Sequence, residues 1–152
     1  MRDRIIIADN VISELECKQL IEFFETNSNN IPIEKWLGFY NMNVTDTNDA
    51  IINKIISQIK YYGLVIDWCE IAKRPVGTGH PKHFDKASNK TVFTSVTYLN
   101  DDFSGGETYM VNDLMLAPKK GRTLYFDGCC YKHGVTTVKN SDRYTLAIWY
   151  KK

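Results

Sequence analysis

The segment His83-Phe84-Asp85 and the later His133 are the residues of this sequence best suited to chemistry. Two imidazoles and one carboxylate can occupy one face of an octahedral Fe(II) ion and leave the opposite face open for substrate and oxygen. His83 and Asp85 point to the same side of an extended segment, because side chains alternate along a strand. The third ligand must come from elsewhere, and the chain has three histidines in all. The sequence therefore predicts an Fe(II) site formed by His83, Asp85 and His133.

Arg143, which follows His133, predicts a binding site for an anionic cosubstrate. A guanidinium group suits a carboxylate because it can donate two parallel hydrogen bonds. Thr145 would point the same way as Arg143 in a strand and could donate a further hydrogen bond. Iron ligands followed by such an arginine indicate an oxygenase that uses 2-oxoglutarate, a dicarboxylate. The alternative for Arg143 is a surface arginine.

From about Glu70 to the C-terminus, the sequence resembles the prolyl 4-hydroxylase branch of the iron(II)- and 2-oxoglutarate-dependent oxygenases, including the oxygen-sensing prolyl hydroxylases. The blocks that carry the resemblance, in the family order, are Gly77-Thr78-Gly79 before His83-Phe84-Asp85, Thr97-Tyr98-Leu99-Asn100, Ser104-Gly105-Gly106-Glu107-Thr108, Pro118-Lys119-Lys120-Gly121-Arg122, Leu124-Tyr125-Phe126, His133-Gly134-Val135 and Arg143 to Tyr150. The first half, to about Gly63, has no such block.

This resemblance implies an enzyme that uses Fe(2+), 2-oxoglutarate and O2, with ascorbate as a possible reductant, and that hydroxylates prolyl residues in a peptide or protein. It implies that Tyr98 bonds the 5-carboxylate of 2-oxoglutarate beside Arg143, although a core tyrosine bonded to backbone is the alternative. Where the family often has tyrosines upstream of the first iron ligand, this sequence has Arg74 and His80. Arg74 could bind the cosubstrate, contact the substrate or pair with an acid. A role beside the metal or near the substrate is favoured for His80 over metal binding.

Two helices are predicted in the first half of the chain. Ser13 and Glu16 form a capping box that begins the first helix, which ends at the polar stretch 27–30. Isoleucines at helical spacing predict a second helix from about Asp49 to Tyr62, before Gly63. Both apolar stripes predict core-facing helices rather than catalytic ones.

Strands dominate the rest of the chain. A short buried strand is predicted at residues 5–8, and β-branched and aromatic residues predict strands at 64–74, 91–99, 106–110, 121–127, 131–138 and 143–151. Helices followed by many short strands favour a mainly β fold, a double-stranded β-helix (jelly roll, cupin-like) backed by helices. We expect a single domain over residues 1–152, with helical support at about 10–63 and the β-helix core at about 64–152. The glycines at 77 and 79 do not form a dinucleotide fingerprint, which needs a third glycine and a following helix.

Composition narrows the functional class. A formal net charge of +1 does not predict a basic surface that binds nucleic acid. No apolar run is long enough to predict a membrane span. Met1-Arg2-Asp3-Arg4-Ile5 does not resemble a secretory signal, so we expect a soluble cytoplasmic protein. Cys17, Cys69, Cys129 and Cys130 lack the paired spacing of a zinc site, which favours reduced thiols.

The substrate is the least determined property. Trp149 stands where nucleic-acid demethylases of the same superfamily have a second arginine, and Asp85 excludes the halogenases, which have a small residue there. A free amino acid, another non-prolyl substrate or a non-enzymatic cupin-like metal binder are the remaining alternatives. The segments 36–48, 75–82 and 86–90 are predicted to form the loops that recognise the substrate.

Overall fold

The computed structural model describes residues 4–110 and 113–152 of the chain. Residues 1–3, part of the segment predicted not to be a secretory signal, lie outside the described residues. The described elements, in chain order, are β1 (Ile6–Ala8), α1 (Glu14–Asn27), β2 (Ile33–Trp36), β3 (Phe39–Asn43), α2 (Ala50–Ser57), β4 (Val65–Arg74), β5 (His80–His83), β6 (Phe93–Tyr98), β7 (Thr108–Met110), β8 (Met115–Leu116), β9 (Thr123–Phe126), β10 (His133–Val135) and β11 (Arg143–Lys151).

The strands form two antiparallel sheets. The larger sheet has the order β1-β9-β6-β11-β4-β3-β2, and the smaller has the order β5-β10-β7-β8. Buried side chains from both sheets, such as Leu124 and Phe126 from the larger and Met110 and Leu116 from the smaller, form one apolar cluster. The predicted mainly β jelly roll with supporting helices is confirmed.

Strand β11 separates the core from the cavity. Leu146, Ile148 and Tyr150 are buried in a large apolar cluster that also contains the inner faces of both helices. The alternate residues, beginning with Arg143 and Thr145, line a cavity on the other face of the sheet. The alternation predicted from the sequence therefore fixes which side chains reach the cavity.

Local signals determine where the helices begin and end. The side chain of Ser13 accepts from the Glu16 N–H, and the Glu16 carboxylate accepts from the Ser13 N–H, so the predicted capping box is confirmed. Helix α2 ends at Ser57, before the predicted end near Tyr62, because the N–H groups of the next two residues bond the carbonyls of Ile55 and Ile56 in the tighter 3₁₀ pattern. No helix in the described parts of the chain is long and apolar enough to cross a membrane.

Three segments differ from the predicted secondary structure. Part of the expected loop 36–48 forms the hairpin β2–β3, which turns at Leu37 and Gly38, both with positive φ (47° and 80°). Leucine is rare in that conformation, so the turn gave little sequence signal. The end of the expected loop 75–82 belongs to β5. Strand β1 lies at the edge of its sheet and leaves Ile7 45% exposed, so it is not a buried strand.

Gly105 carries a clear prediction for stability. Its φ is +65°, and a Cβ there would lie 1.9 Å from the Thr137 carbonyl oxygen. We expect Gly105→Ala to lower the free energy of unfolding by about 2–4 kcal/mol, because a left-handed alanine and a displaced backbone each add a cost. Gly63→Ala is the control: its φ is +78° but nothing lies within 4 Å, so only about 1 kcal/mol should be lost. Urea denaturation measures both, and equal losses would contradict the steric argument.

Candidate active site

The candidate metal ligands lie at one side of a cavity of about 210 Å³ between the two sheets. His83, in β5, is directly opposite His133, in β10, and Asp85 follows β5. The ligating atoms of the three residues all lie within 4.8 Å of one another, and His133 Nε2 is 3.9 Å from Asp85 Oδ2. It is the one such cluster in the residues that the structure describes. Two nitrogens and one oxygen, with space beside them, suit Fe(II).

Backbone carbonyls orient both imidazoles. His83 Nδ1 lies 2.8 Å from the Pro81 oxygen, and His133 Nδ1 lies 3.1 Å from the Tyr131 oxygen. A carbonyl can only accept, so each Nδ1 donates its proton and each Nε2 keeps a lone pair for a metal. A second partner of this kind normally fixes the ring of a metal-ligating histidine.

The electrostatics of this cluster also suit a cation. Burial lowers the pKa of His133 to about 4, so the imidazole is neutral near pH 7 and can act as a ligand. Burial raises the pKa of Asp85, because the carboxylate loses part of the hydration that stabilises its charge in water. A divalent ion would supply that missing positive charge.

His80 packs against the cluster without joining it. Its ring stacks on the His83 ring at 3.8 Å between centroids. Its Nδ1 lies 2.9 Å from Arg74 Nη2, and a guanidinium can only donate, so Nδ1 accepts. The neutral ring then carries its proton on Nε2 and offers no lone pair there. The predicted role outside the metal sphere stays a prediction.

Two buried arginines lie together at one end of the cavity. Arg143 and Arg74 are direct cross-strand neighbours on β11 and β4 and are 2% and 6% exposed. Arg143 Nε donates to the Gly106 oxygen (2.8 Å) and Nη2 to Thr108 Oγ1 (3.2 Å). Nε and Nη1 of Arg74 are buried without a hydrogen-bond partner. Burial, together with repulsion from Arg143, lowers the pKa of Arg74 to about 9. Unpaired buried donors on a cation are costly, so this end suits an anion.

Tyr98 is fully buried, and its hydroxyl is bonded within the protein. Its hydroxyl accepts from the Thr108 N–H (2.9 Å), donates to the Leu116 oxygen (3.2 Å) and lies 2.8 Å from Thr108 Oγ1. These contacts use the full hydrogen-bonding capacity of a tyrosine, so a carboxylate would have to displace one of them. Thr108, which sequence reasoning missed, stands between Tyr98 and Arg143. Thr145 lines the cavity beside Arg143, as the alternation predicted.

Strand β4 contributes a row of cavity residues, of which sequence reasoning singled out Arg74 but missed the others. Glu70, Ala72 and Arg74 line the cavity, and Trp68 continues the row into an adjoining groove. Burial raises the pKa of Glu70 to about 7, although the Trp68 indole, which donates to its carboxylate at 3.0 Å, acts in the opposite direction. Side chains alternate between the two faces of a strand, so the strand predicted at 64–74 could have identified this row.

The vicinal cysteines lie near the site but outside the metal cluster. Cys129 and Cys130 are exposed in the segment between β9 and β10, and their N–H groups bond the Asp127 carboxylate. Neither belongs to the cluster of candidate ligands in the described residues.

Comparisons with known proteins agree with this geometry. The family model of the 2OG-Fe(II) oxygenase superfamily matches residues 69–151, which is more than half of the chain. A viral collagen prolyl hydroxylase from Paramecium Bursaria Chlorella virus-1, solved as a 2OG complex, is 18% identical with a TM-score of 0.75, covering 97% of this chain and 94% of that one. A Pseudomonas putida prolyl-4-hydroxylase is 15% identical with a TM-score of 0.77, covering 97% and 92%.

A prolyl hydroxylase from Trichoplax adhaerens, in complex with a hypoxia inducible factor oxygen degradation domain peptide fragment, is 17% identical with a TM-score of 0.73, covering 97% of this chain and 83% of that one. At these identities the structures show a common fold. No curated protein shows significant sequence similarity to the chain.

A jelly roll with a two-histidine, one-carboxylate cluster beside buried arginines defines a non-heme iron oxygenase. The chain belongs to the 2OG-Fe(II) oxygenase superfamily. It is a 2-oxoglutarate-dependent dioxygenase that uses Fe(2+), 2-oxoglutarate and O2, rather than a non-enzymatic cupin-like metal binder.

Proposed function

We propose that this enzyme hydroxylates a prolyl residue in a peptide or protein. His83, Asp85 and His133 hold Fe(II), and Arg143 holds the 5-carboxylate of 2-oxoglutarate, with Arg74 and Thr145 beside it. The observation that carries the proposal is the convergence of three ligating atoms within 4.8 Å in a cavity that also contains two buried guanidinium groups.

Iron with its cosubstrates supplies the oxidising power: O2 gives one oxygen atom to 2-oxoglutarate, which leaves as succinate and CO2, and the other to the substrate as a hydroxyl. The residues of this chain supply placement. The carbonyls of Pro81 and Tyr131 bond Nδ1 of the two imidazoles, so each Nε2 would be free to bind the metal. Bonds to the Gly106 oxygen and Thr108 orient the Arg143 fork, leaving the rest of that guanidinium for a carboxylate.

The position of Arg74 supports a role in binding the cosubstrate. It lies beside Arg143 at one end of the cavity, and its Nε and Nη1 have no hydrogen-bond partner. A dianion between the two guanidinium groups would offset their mutual repulsion. Two observations favour a prolyl substrate over the alternatives. They are the motif blocks from Gly77 onward and a fold shared with proteins described as prolyl hydroxylases.

The test is turnover with defined peptides. The purified protein, Fe(II), 2-oxoglutarate and ascorbate are incubated with proline-containing peptides and with matched peptides that have alanine in place of proline. We expect succinate and a gain of one oxygen atom on the proline peptides only, read by mass spectrometry, and neither without 2-oxoglutarate. Oxidation of free amino acids with every proline peptide left unmodified would replace the prolyl substrate with the amino-acid alternative.

A further inference from the structure

A groove of about 300 Å³ opens beside the candidate metal site. We call it the tryptophan groove, because its walls contain Trp36, Trp68 and Trp149, which are all three tryptophans of the chain. Trp36 is 56% exposed and Trp68 37% exposed. Large aromatic side chains that stay exposed at one place mark a surface built for a ligand. The groove shares Asp85 with the cavity, so its occupant would lie next to the metal.

Strand pairing fixes these side chains in place. Trp68 and Trp149 are direct partners on β4 and β11. Glu34 and Asn41 are direct partners on β2 and β3, which continue the same sheet beyond β4, and both also line the groove. The indole N–H of Trp68 donates to the Glu70 carboxylate at 3.0 Å, so an aromatic face and an acidic group are held side by side. This is the pairing that binds a cation, through the carboxylate charge and the ring quadrupole.

The charges of the cavity and groove are separated along β4. The two arginines lie at one end, and Glu70 lies four residues from Arg74, or about 13 Å along the strand. Glu34 and Glu70 are acidic residues of the groove. Burial raises the pKa of Glu70 to about 7, and a cation beside it would favour its ionised form. Lys86 also lines the groove, but its Nζ is directed toward Asn89 Oδ1, at 3.5 Å. The arginine end therefore suits the anionic cosubstrate, and the groove suits a positive group.

An unpaired polar atom in the groove walls points independently to a ligand. Asn41 Oδ1 is buried without a hydrogen-bond partner, and Asn41 lines both the groove and the cavity. Trp149 is only 7% exposed, and its indole faces the carboxylate of Asp85, where it acts against the rise in pKa that burial gives that carboxyl. A donor from a bound peptide would satisfy the acceptor that Asn41 leaves open.

We propose that the tryptophan groove binds the cationic side chain of a lysine or arginine next to the residue that is hydroxylated. This selectivity rests on the proposed hydroxylation of a peptide, and it names the class of sequence that the enzyme selects. The carboxylates of Glu34 and Glu70 attract the cation, while the three indoles cover its aliphatic stem.

Tryptophan fluorescence reports binding directly, because every tryptophan of the chain lines the groove. The protein with Fe(II) and 2-oxoglutarate, kept free of oxygen, is titrated with three short peptides that each contain one proline. The peptides differ only in the residue beside the proline, which is lysine, norleucine or glutamate, and each is made in both orders. We expect the lysine peptide in one order to bind about tenfold more tightly than the norleucine peptide, and the glutamate peptide to bind most weakly. Equal affinities, or tighter binding of the glutamate peptide, would overturn the proposal.

Glu70→Gln and Glu34→Gln test the source of the selectivity. Each should reduce the preference for lysine over norleucine several-fold, because glutamine keeps the size of the side chain but not its charge. Glu34 is exposed, so its variant should fold even if burial makes Glu70→Gln unstable. Glu22→Gln, an exposed change on α1, is the matched control and should keep the full preference. A preference that survives in both groove variants would contradict the assignment.

Hydroxylation of the same peptides separates this proposal from the proposed function. A lysine preference in binding without any gain of oxygen on proline would support the groove and remove the prolyl substrate. Equal binding and equal hydroxylation of the lysine and norleucine peptides would support the prolyl substrate and remove the groove selectivity.

Discussion

Asp85→Ala is expected to abolish the conversion of 2-oxoglutarate to succinate in a protein that remains folded. Loss of a residue that only supports a metal ligand weakens metal binding about 10–100-fold, so loss of a ligand itself should weaken iron binding more than about 100-fold. The fold should tolerate the change, because burial raises the pKa of Asp85 and its ionised form is therefore a cost to the folded state at neutral pH. The midpoint of thermal unfolding without metal should stay the same or rise.

Metal-dependent stability measures the same prediction without turnover. Fe(II) at about 100 times its dissociation constant should stabilise the wild-type protein by about 2.7 kcal/mol and the Asp85→Ala variant hardly at all. Asp46→Ala, an exposed aspartate outside the cavity, is the control and should respond as wild type does. His133→Ala should behave like Asp85→Ala. Full iron affinity in His133→Ala would remove this histidine from the ligand set and make His80 the first candidate to replace it.

The parts of the site that could be predicted depend on local spacing. The period of two places Arg143 and Thr145 on one face of β11, and one intervening residue places His83 and Asp85 on one side of the chain. The capping box at Ser13 is equally local, since it depends on residues one turn apart. These features can be predicted from the sequence because the backbone geometry of neighbouring residues alone determines them.

The parts that could not be predicted depend on strand register. Arg74 and Arg143 become neighbours only because β4 and β11 pair in one register, and a shift of one residue would turn Arg74 away from the cavity. The same holds for Trp68 and Trp149. No single-sequence pattern fixes pairing across that separation, so the buried arginine pair and the tryptophan groove first become visible in the fold.

Tyr98 shows a different limit, that of a resemblance. The motif position matches the relatives, but in this chain the hydroxyl bonds Thr108 and Leu116. Thr108 also accepts from Arg143, so the motif tyrosine and the arginine are linked through a residue that the motif does not single out. The predicted bond between Tyr98 and the 5-carboxylate stays a prediction, and the carboxylate would have to displace one of these contacts.

Arg143→Ala is expected to raise the apparent KM for 2-oxoglutarate about 10- to 100-fold, because a hydrogen bond to a charged group is worth about 1.5–3 kcal/mol. Arg143→Lys should recover part of the loss, since lysine keeps the charge but not the planar fork. Arg122→Ala is the control: this arginine pairs with Asp9 at 2.7 Å, away from the cavity, and the KM should not change. An unchanged KM in Arg143→Ala would remove Arg143 from the cosubstrate site.

Arg74→Ala then decides which ligand the second arginine serves. If Arg74 holds 2-oxoglutarate together with Arg143, its loss should raise the KM for 2-oxoglutarate about tenfold, and the double variant should lose less than the product of the two single losses because both groups contact one ligand. If Arg74→Ala still converts 2-oxoglutarate to succinate with an unchanged KM but no longer hydroxylates peptide, Arg74 contacts the substrate instead. Both outcomes are read from succinate release and peptide mass in one reaction. Nε and Nη1 of Arg74 are buried without a hydrogen-bond partner and suit an anionic group in either case. A variant with unaltered cosubstrate and peptide kinetics would contradict the role of this end of the cavity.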